Sequence, residues 1–145
     1  MDYETVSAED FGASLTGLGV NLLVTDVLRS AAFLRDLFDM GVHRSTADFA
    51  IMTYGEHVFQ LHRDATFGDH PLQGLLPENP PRGTGIELRL YQTDPDDAAA
   101  RAEAIGGHVL QEPANKPHGL RECVILDADG YAWVPSRVLA FEERP

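Results

Sequence analysis

One pattern stands twice in this sequence, as Gly19-Val-Asn-Leu-Leu-Val-Thr-Asp26 and again as Glu87-Leu-Arg-Leu-Tyr-Gln-Thr-Asp94. The first copy alternates apolar and polar side chains, which is typical of a β-strand with one buried face. A helical pattern follows each copy, over residues 30–38 and 95–105, and glycine stands just after each helix, at Gly41 and Gly106. The repeat predicts two units of the same kind that face each other across a cleft.

Each copy opens a longer unit with the same order of elements. Three short strands fit after each helix, because short apolar runs lie there between turn residues. The order β-α-β-β-β in each half predicts an α+β fold of two tandem modules, whose curved mixed sheet surrounds a ligand cavity. We expect one domain over residues 1–145, with module 1 at about 15–63, a connector at 64–83 and module 2 at about 84–138. The predicted strands are 18–25, 42–46, 49–54, 56–63, 84–92, 107–111, 120–126 and 131–138.

The segments outside the modules are predicted to be irregular. Residues 1 to about 14 are polar and show no period. The connector is rich in proline and glycine, which interrupt regular structure. Its leucines at positions 72, 75 and 76 predict that it packs down on the rest of the protein.

The charge of the chain restricts its partners. There are 11 basic and 23 acidic residues, for a net charge of −12. Nucleic acids and anionic membranes are bound through Lys and Arg, so this balance argues against both. No run reaches the ~18 apolar residues of a membrane span, and the acidic start does not resemble a signal peptide. We expect a cytoplasmic protein whose acidic surface suits a small cationic ligand.

The one cysteine limits redox and metal chemistry. Cys123 stands in the apolar run from Arg121 to Leu126. A single cysteine forms no internal disulfide and cannot contribute to a zinc site of several cysteines. We interpret it as a small buried hydrophobic residue.

Three stretches resemble one family. They are Val24-Thr-Asp26 before Ser30-Ala-Ala-Phe33, Lys116-Pro-His-Gly-Leu-Arg121, and Leu126-Asp-Ala-Asp-Gly-Tyr131. Their order and spacing resemble the vicinal oxygen chelate superfamily, which contains glyoxalases, bleomycin resistance proteins and extradiol dioxygenases. The resemblance covers about residues 17–138, and His118 stands where the family usually has Trp.

The resemblance also implies where a metal would bind. Metal-dependent members take one ligand from each of strands 1, 4, 5 and 8, and the matching positions here are Gly19, Gln60, Glu87 and Val134. Gly and Val offer no side-chain donor, so we predict no metal and no other cofactor. Glu87 also lies two residues from Arg89 on one strand face, near enough to pair with it.

Residues that share a strand face with those four positions are the candidates for ligand contact. Polar groups on an otherwise apolar face would orient an organic ligand. The alternative is that these side chains fill the space and satisfy each other. His118 and Arg121 join the candidates because they belong to the loop that resembles the family's cavity mouth. The predicted ligand-binding residues are Asn21, Gln60, His62, Glu87, Arg89, Tyr91, His118 and Arg121.

Three functions fit these residues. The first is a metal-independent binder of a small organic, cationic ligand, similar to the drug-sequestering bleomycin resistance proteins. The alternative is a metal-dependent lyase, isomerase or dioxygenase with atypical ligands drawn from Gln60, Glu87 and His62. A third is a metal-free isomerase or hydrolase with Glu87 as base, although the neighbouring Arg89 makes this carboxylate a poor base. The missing donors favour binding over catalysis, and we expect a homodimer that covers the sheet edges.

Overall fold

The computed structural model describes residues 1–77 and 81–145, and the chain forms two compact units, Met1–Leu76 and Pro77–Pro145. The boundary falls inside the connector predicted at 64–83, of which residues 78–80 lie outside the described residues. None of the helices in these two stretches is long and apolar enough to cross a lipid bilayer.

The first unit carries a four-stranded mixed sheet. Its elements are α1 (Ala8–Ser14), β1 (Asn21–Val24), α2 (Val27–Phe38), β2 (Gly41–His43), β3 (Phe49–Tyr54) and β4 (His57–Arg63). The strand order is β1-β4-β3-β2, in which β1 and β4 run parallel and the other pairs run antiparallel. Two short 3₁₀ turns follow, at Asp64–Phe67 and Gln73–Leu75.

The second unit repeats this arrangement. Its elements are β5 (Glu87–Leu90), α3 (Pro95–Ala104), β6 (His108–Asn115), β7 (Leu120–Leu126), β8 (Ala132–Val138) and a 3₁₀ turn at Phe141–Glu143. The strand order is β5-β8-β7-β6, with β5 parallel to β8 and the other pairs antiparallel. Each unit is therefore a β-α-β-β-β module, which confirms the predicted α+β fold of two tandem modules.

Helix α2 begins earlier than the predicted 30–38. The helix begins at Val27, because the Asp26 side chain accepts a hydrogen bond from the Arg29 N–H at 3.0 Å and so caps the first turn. It ends at Phe38, as predicted, and is capped by Asp39, whose φ of 57° is left-handed, a conformation that Asp tolerates. The predicted stop at Gly41 is therefore wrong.

Gly41 has a different task, because it opens β2. A Cβ atom at this position would overlap Thr53 Oγ1 and lie 2.8 Å from His43 Nε2. Those two atoms are 3.0 Å apart and hydrogen-bonded to each other. Only glycine leaves room for that hydrogen bond on the β2–β3 ladder.

Helix α3 follows the predicted pattern closely. The Asp94 side chain accepts a hydrogen bond from the Asp96 N–H at 3.0 Å, and Pro95 takes the first helical position. The helix ends at Ala104, one residue before the predicted end. Gly106 follows with a φ of 75°, which glycine adopts without strain.

Helix α1 was missed by the prediction of an irregular lead-in. The Ser7 side chain accepts a hydrogen bond from the Asp10 N–H at 3.1 Å, so a serine caps this short helix. Phe11 is its one buried residue, and the Tyr3 ring packs edge-on against Phe11 at 6.0 Å between centroids. With one buried residue, this helix has no periodic pattern of apolar residues from which it could have been predicted.

Some other expectations need correction. Strands β3 and β7 match their predicted bounds, whereas β1 begins at Asn21, so Gly19 lies before the strand. Strand β6 extends to Asn115, past the predicted end, through two irregularities in its register with β7. In the connector, Leu72 and Leu75 are exposed, Leu75 by 78%, so these leucines do not pack down as predicted.

The turn between β7 and β8 is held by one carboxylate. Asp127 Oδ1 accepts the N–H groups of Asp129 and Tyr131 at 3.0 Å each, and Oδ2 accepts Trp133 Nε1–H at 3.0 Å. Gly130 in this turn has a φ of 84°, and a Cβ there would lie 3.1 Å from the Arg82 nitrogen. These contacts give Asp127 a structural role in the turn.

Candidate functional site

The second sheet has two chemically different faces. Arg89 lies beside Val134 in the β5–β8 register, and Ser136 lies opposite Glu122 in the β7–β8 register. Since alternate residues of a strand share a face, these four side chains lie on one face. The other face meets α3, where Cys123 Sγ lies 3.5 Å from the Pro95 carbonyl oxygen. We call the first face the polar face of the second sheet.

Arg89 lies on that polar face, in the edge strand β5. Its Nη1 donates to Glu87 Oε2 at 3.1 Å, and its Nη2 donates to Glu122 Oε2. Burial acts to lower the Arg89 pKa, but the hydrogen bond and charge of Glu122, with the charge of Glu87, outweigh it and raise that pKa. The Arg89 guanidinium also lies 5.7 Å from the centroid of the exposed Tyr91 ring. The predicted Glu87–Arg89 pair is present, and Arg89 gathers two further groups.

Burial increases along this group from Glu87 to Glu122. The side chain of Glu87 is 57% exposed, that of Arg89 23% and that of Glu122 only 9%. A carboxylate with so little contact with water depends on its hydrogen-bond donors. Arg89 therefore donates hydrogen bonds to a solvated carboxylate, Glu87, and to a nearly buried one, Glu122.

His118 approaches the same carboxylate from the loop between β6 and β7. The loop is a tight turn, in which the Gly119 N–H donates to the Lys116 carbonyl at 3.1 Å and Lys116 N–H donates to the Leu120 carbonyl at 2.8 Å. His118 Nε2 lies 3.5 Å from Glu122 Oε2, and its side chain is 53% exposed. We call Glu87, Arg89, His118 and Glu122 the Arg89 cluster.

Ser136 lies beside this cluster with its hydroxyl unsatisfied. The residue is fully buried, and its Oγ has no hydrogen-bond partner within residues 1–77 and 81–145. An unpaired buried hydroxyl costs about 1–3 kcal/mol. A buried polar group of this kind calls for a partner, which a bound water, an ion or a ligand can supply.

The first sheet also carries a polar face, which holds the other predicted residues. His62 Nε2 donates to Gln60 Oε1 at 3.2 Å, and the Phe49 ring lies 5.1 Å from the His62 ring. Asn21 is the neighbour of Gln60 in the β1–β4 register, and its side chain is exposed on the same face. Burial lowers the pKa of His62, which favours the neutral imidazole.

Arg121 does not join the Arg89 cluster. As the neighbour of Glu122 in β7 it points to the opposite face, where its guanidinium binds both oxygens of Asp96 in α3 at 2.7 and 2.8 Å. The hydrogen bond from Arg121 lowers the pKa of Asp96. Arg121 also donates to Asn115 Oδ1 at 2.9 Å. These bonds connect α3 to the sheet, which is a structural task.

Glu122 and Ser136 were not among the predicted site residues. Within β7, Glu122 stands between Leu120 and Val124 on one strand face, so a charged residue interrupts an apolar run. That break in the alternation is the signal that could have identified it.

The donor set for a metal does not fit. Gly19 has no side-chain donor and precedes β1, while Val134 is a fully buried apolar residue. Gln60 Oε1 accepts from His62, and Glu87 Oε2 accepts from Arg89. Among the described residues, no three His, Cys, Asp or Glu side chains are grouped so that they could hold a metal ion.

Comparisons with known proteins agree with this fold. The model of the glyoxalase/bleomycin resistance protein/dioxygenase superfamily matches residues 18–134, so the chain belongs to this superfamily, the vicinal oxygen chelate proteins. No curated protein matches the chain.

Solved structures show the same fold at low sequence identity. A glyoxalase/bleomycin resistance protein/dioxygenase family enzyme from Burkholderia phytofirmans PsJN is similar with a TM-score of 0.72 and 17% identity, over 83% of this chain and 97% of that one. The fosfomycin resistance protein FosX from Listeria monocytogenes has a TM-score of 0.63 and 19% identity, over 90% and 99%. A lactoylglutathione lyase from Agrobacterium tumefaciens has a TM-score of 0.61 and 18% identity, over 84% and 92%.

Proposed function

We propose that this protein binds a small organic molecule without a metal, and that the polar face of the second sheet makes the main polar contacts with it. The observation that carries the proposal is the fully buried Ser136 hydroxyl, which has no partner in the described part of the chain. It lies beside a nearly buried ion pair, Arg89 with Glu122. Buried polar groups that the protein leaves unsatisfied support a site for a ligand that satisfies them.

Binding explains the site better than catalysis. The family positions for metal ligands hold Gly19 and Val134, which have no donor atoms. The thiol of Cys123 is fully buried, and burial raises its pKa to about 12, so it is not a nucleophile near neutral pH. Capture of a molecule, as the name of the family's bleomycin resistance proteins suggests, needs neither a metal nor a nucleophile.

Thermal unfolding with a panel of aromatic and cationic metabolites tests this proposal. A ligand at 100 times its Kd stabilises the folded state by about 2.7 kcal/mol, which raises the Tm measurably. Tyr91→Ala removes the exposed ring near Arg89 and should weaken binding, whereas Ile105→Ala, at an exposed position after α3, should not.

Elemental analysis of protein purified without chelator separates the alternatives. We expect no stoichiometric transition metal. About one Fe, Mn, Ni or Zn ion per chain, lost in Glu87→Ala, would contradict the proposal and favour a metal-dependent enzyme. No stabilisation by any member of the panel would contradict it independently.

We also propose a homodimer. Each four-stranded sheet ends in two edge strands, β1 and β2 in the first and β5 and β6 in the second. Unpaired edges are covered in many proteins by a second subunit. Sedimentation equilibrium that gives the mass of one chain, 15.9 kDa, would contradict this.

A further inference from the structure

The Arg89 cluster carries more negative than positive charge. The guanidinium of Arg89 is shared between the carboxylates of Glu87 and Glu122. His118, at 3.5 Å from Glu122, adds a positive charge only when its ring is protonated. One carboxylate charge is therefore uncompensated, and the more buried of the two carboxylates belongs to Glu122.

The two oxygen atoms of Glu122 are used unequally. Its contacts with Arg89 and with His118 both involve Oε2. Oε1 has no hydrogen bond or ion pair to the residues that the structure describes. This oxygen is an acceptor on a nearly buried side chain.

A second unused acceptor lies directly across the ladder. Glu122 and Ser136 are register partners in β7 and β8, and directly opposite residues have Cβ atoms about 4.5–5.5 Å apart. The Ser136 hydroxyl accepts as well as donates, and it is the unsatisfied group described above. Two acceptors at this spacing suit one ligand group that carries several N–H donors.

An anionic ligand group fits this place poorly. Both terminal nitrogens of Arg89 already donate to carboxylates, Nη1 to Glu87 and Nη2 to Glu122. An anion bound to Arg89 would displace one of them, and displacing Glu122 would leave a buried carboxylate without its donor. The net charge of −12 for the whole chain also repels anions and attracts cations.

Resting on the proposed binding function, we infer that the ligand carries a protonated amine or an amidinium group, which binds between Glu122 Oε1 and the Ser136 hydroxyl. The N–H donors of such a group satisfy both acceptors, and its charge balances the excess carboxylate. The exposed ring of Tyr91, near the Arg89 guanidinium, provides apolar surface for the rest of the molecule.

Matched pairs of probes test this inference. Benzamidine and benzylamine are compared with their neutral analogues, benzamide and benzyl alcohol, by NMR titration of the isotope-labelled protein. We expect each cation to bind at least about tenfold more tightly than its neutral analogue, which corresponds to about 1.4 kcal/mol. The largest shifts should fall on the amides of Glu122 and Ser136.

Two variants locate the contact. Glu122→Gln keeps the size of the side chain and removes its charge, so it should abolish the preference for the cations. Glu103→Gln makes the same change at an exposed position of α3 and should leave the preference intact. Ser136→Ala should weaken benzamidine binding about tenfold while the unliganded variant is at least as stable as the wild type, because it loses an unsatisfied hydroxyl. This second variant keeps the inference testable if Glu122→Gln fails to fold.

The outcomes separate the two proposals. Equal binding of cations and neutral analogues, or unchanged benzamidine affinity in Ser136→Ala, would overturn the amine assignment and leave the metal-free binder standing. If no probe binds and no member of the wider metabolite panel stabilises the protein, the proposed function itself falls, and the assignment with it.

Discussion

Arg89 and Glu122 are hydrogen-bonded across an intervening strand, because β8 lies between β5 and β7 in the second sheet. The pair thus links three strands on one face, and Glu87 and His118 are attached at its two sides. A charged pair in this place is costly to bury and costly to break. The contribution of this pair to the free energy of unfolding can therefore be measured without a ligand.

Replacing Arg89 with Met should destabilise the protein by about 2–4 kcal/mol, because Glu122 is left nearly buried without its donor. Chemical denaturation measures the loss. The matched control is Arg101→Met, which removes an exposed pair with Asp97 at 3.2 Å and should cost less than about 0.5 kcal/mol. Equal losses in the two variants would show that the Arg89–Glu122 pair contributes no more than a surface ion pair.

Gly41→Ala should destabilise the protein by about 1–3 kcal/mol, because its Cβ overlaps Thr53 Oγ1 and disturbs the hydrogen bond to His43. Adding Thr53→Ala should recover part of the loss. Gly12→Ala is the matched control, since a Cβ in α1 at that position meets nothing within 4 Å and should be neutral or stabilising. Thermal unfolding compares the three variants, and a neutral Gly41→Ala would show that β2 adjusts without strain.

The stability of the protein should fall as the pH drops below about 6.5, the ordinary pKa of histidine. Burial lowers the pKa of His62 in the folded state, so in this range the unfolded chain binds a proton that the folded chain does not. The loss continues until the pH reaches the lowered folded pKa. In a plot of the free energy of unfolding against pH, His62→Gln should run parallel to the wild type near pH 8. Below about pH 6.5 its free energy should fall less steeply than that of the wild type. A variant curve parallel to that of the wild type throughout would contradict this.

The thiol of Cys123 should resist modification in the folded protein. Its side chain is fully buried and its pKa is raised to about 12 by burial, so little thiolate forms at pH 8. A disulfide reagent should react only as denaturant unfolds the chain. Ser45→Cys places a second thiol at an exposed position and should react at once. Fast labelling of the wild type before unfolding would contradict the buried, inert assignment.

The order of the elements could be predicted because it is local and repeated. The bounds of β3 and β7 follow from short apolar runs, and the start of α3 follows from Asp94 and Pro95. The residue that caps the end of α2 could not be predicted in this way. By conformational preference, Gly41 is a better helix stop than Asp39. However, Gly41 packs against Thr53 as part of β2, so Asp39 takes the left-handed position at the end of the helix.

The candidate site was predictable only where one strand contained both partners. Glu87 and Arg89 lie two residues apart, so their pairing follows from the geometry of β5. Glu122 lies in β7, which is not adjacent to β5, and no sequence pattern indicates that the Glu122 side chain reaches Arg89. Arg121 was predicted to contact the ligand because it belongs to the loop that resembles the family's cavity mouth. In the structure it lies in β7 and points to the face covered by α3, where it binds Asp96.

The bond between Asp127 and Trp133 has a practical consequence. Trp133 is the one tryptophan of the chain, it is 2% exposed, and it belongs to the second unit. Its fluorescence therefore reports on that half, whereas the far-ultraviolet dichroism of the backbone records both. Superimposable melts from the two signals would mean that the repeats unfold as one cooperative body, and separated melts would give each repeat its own stability.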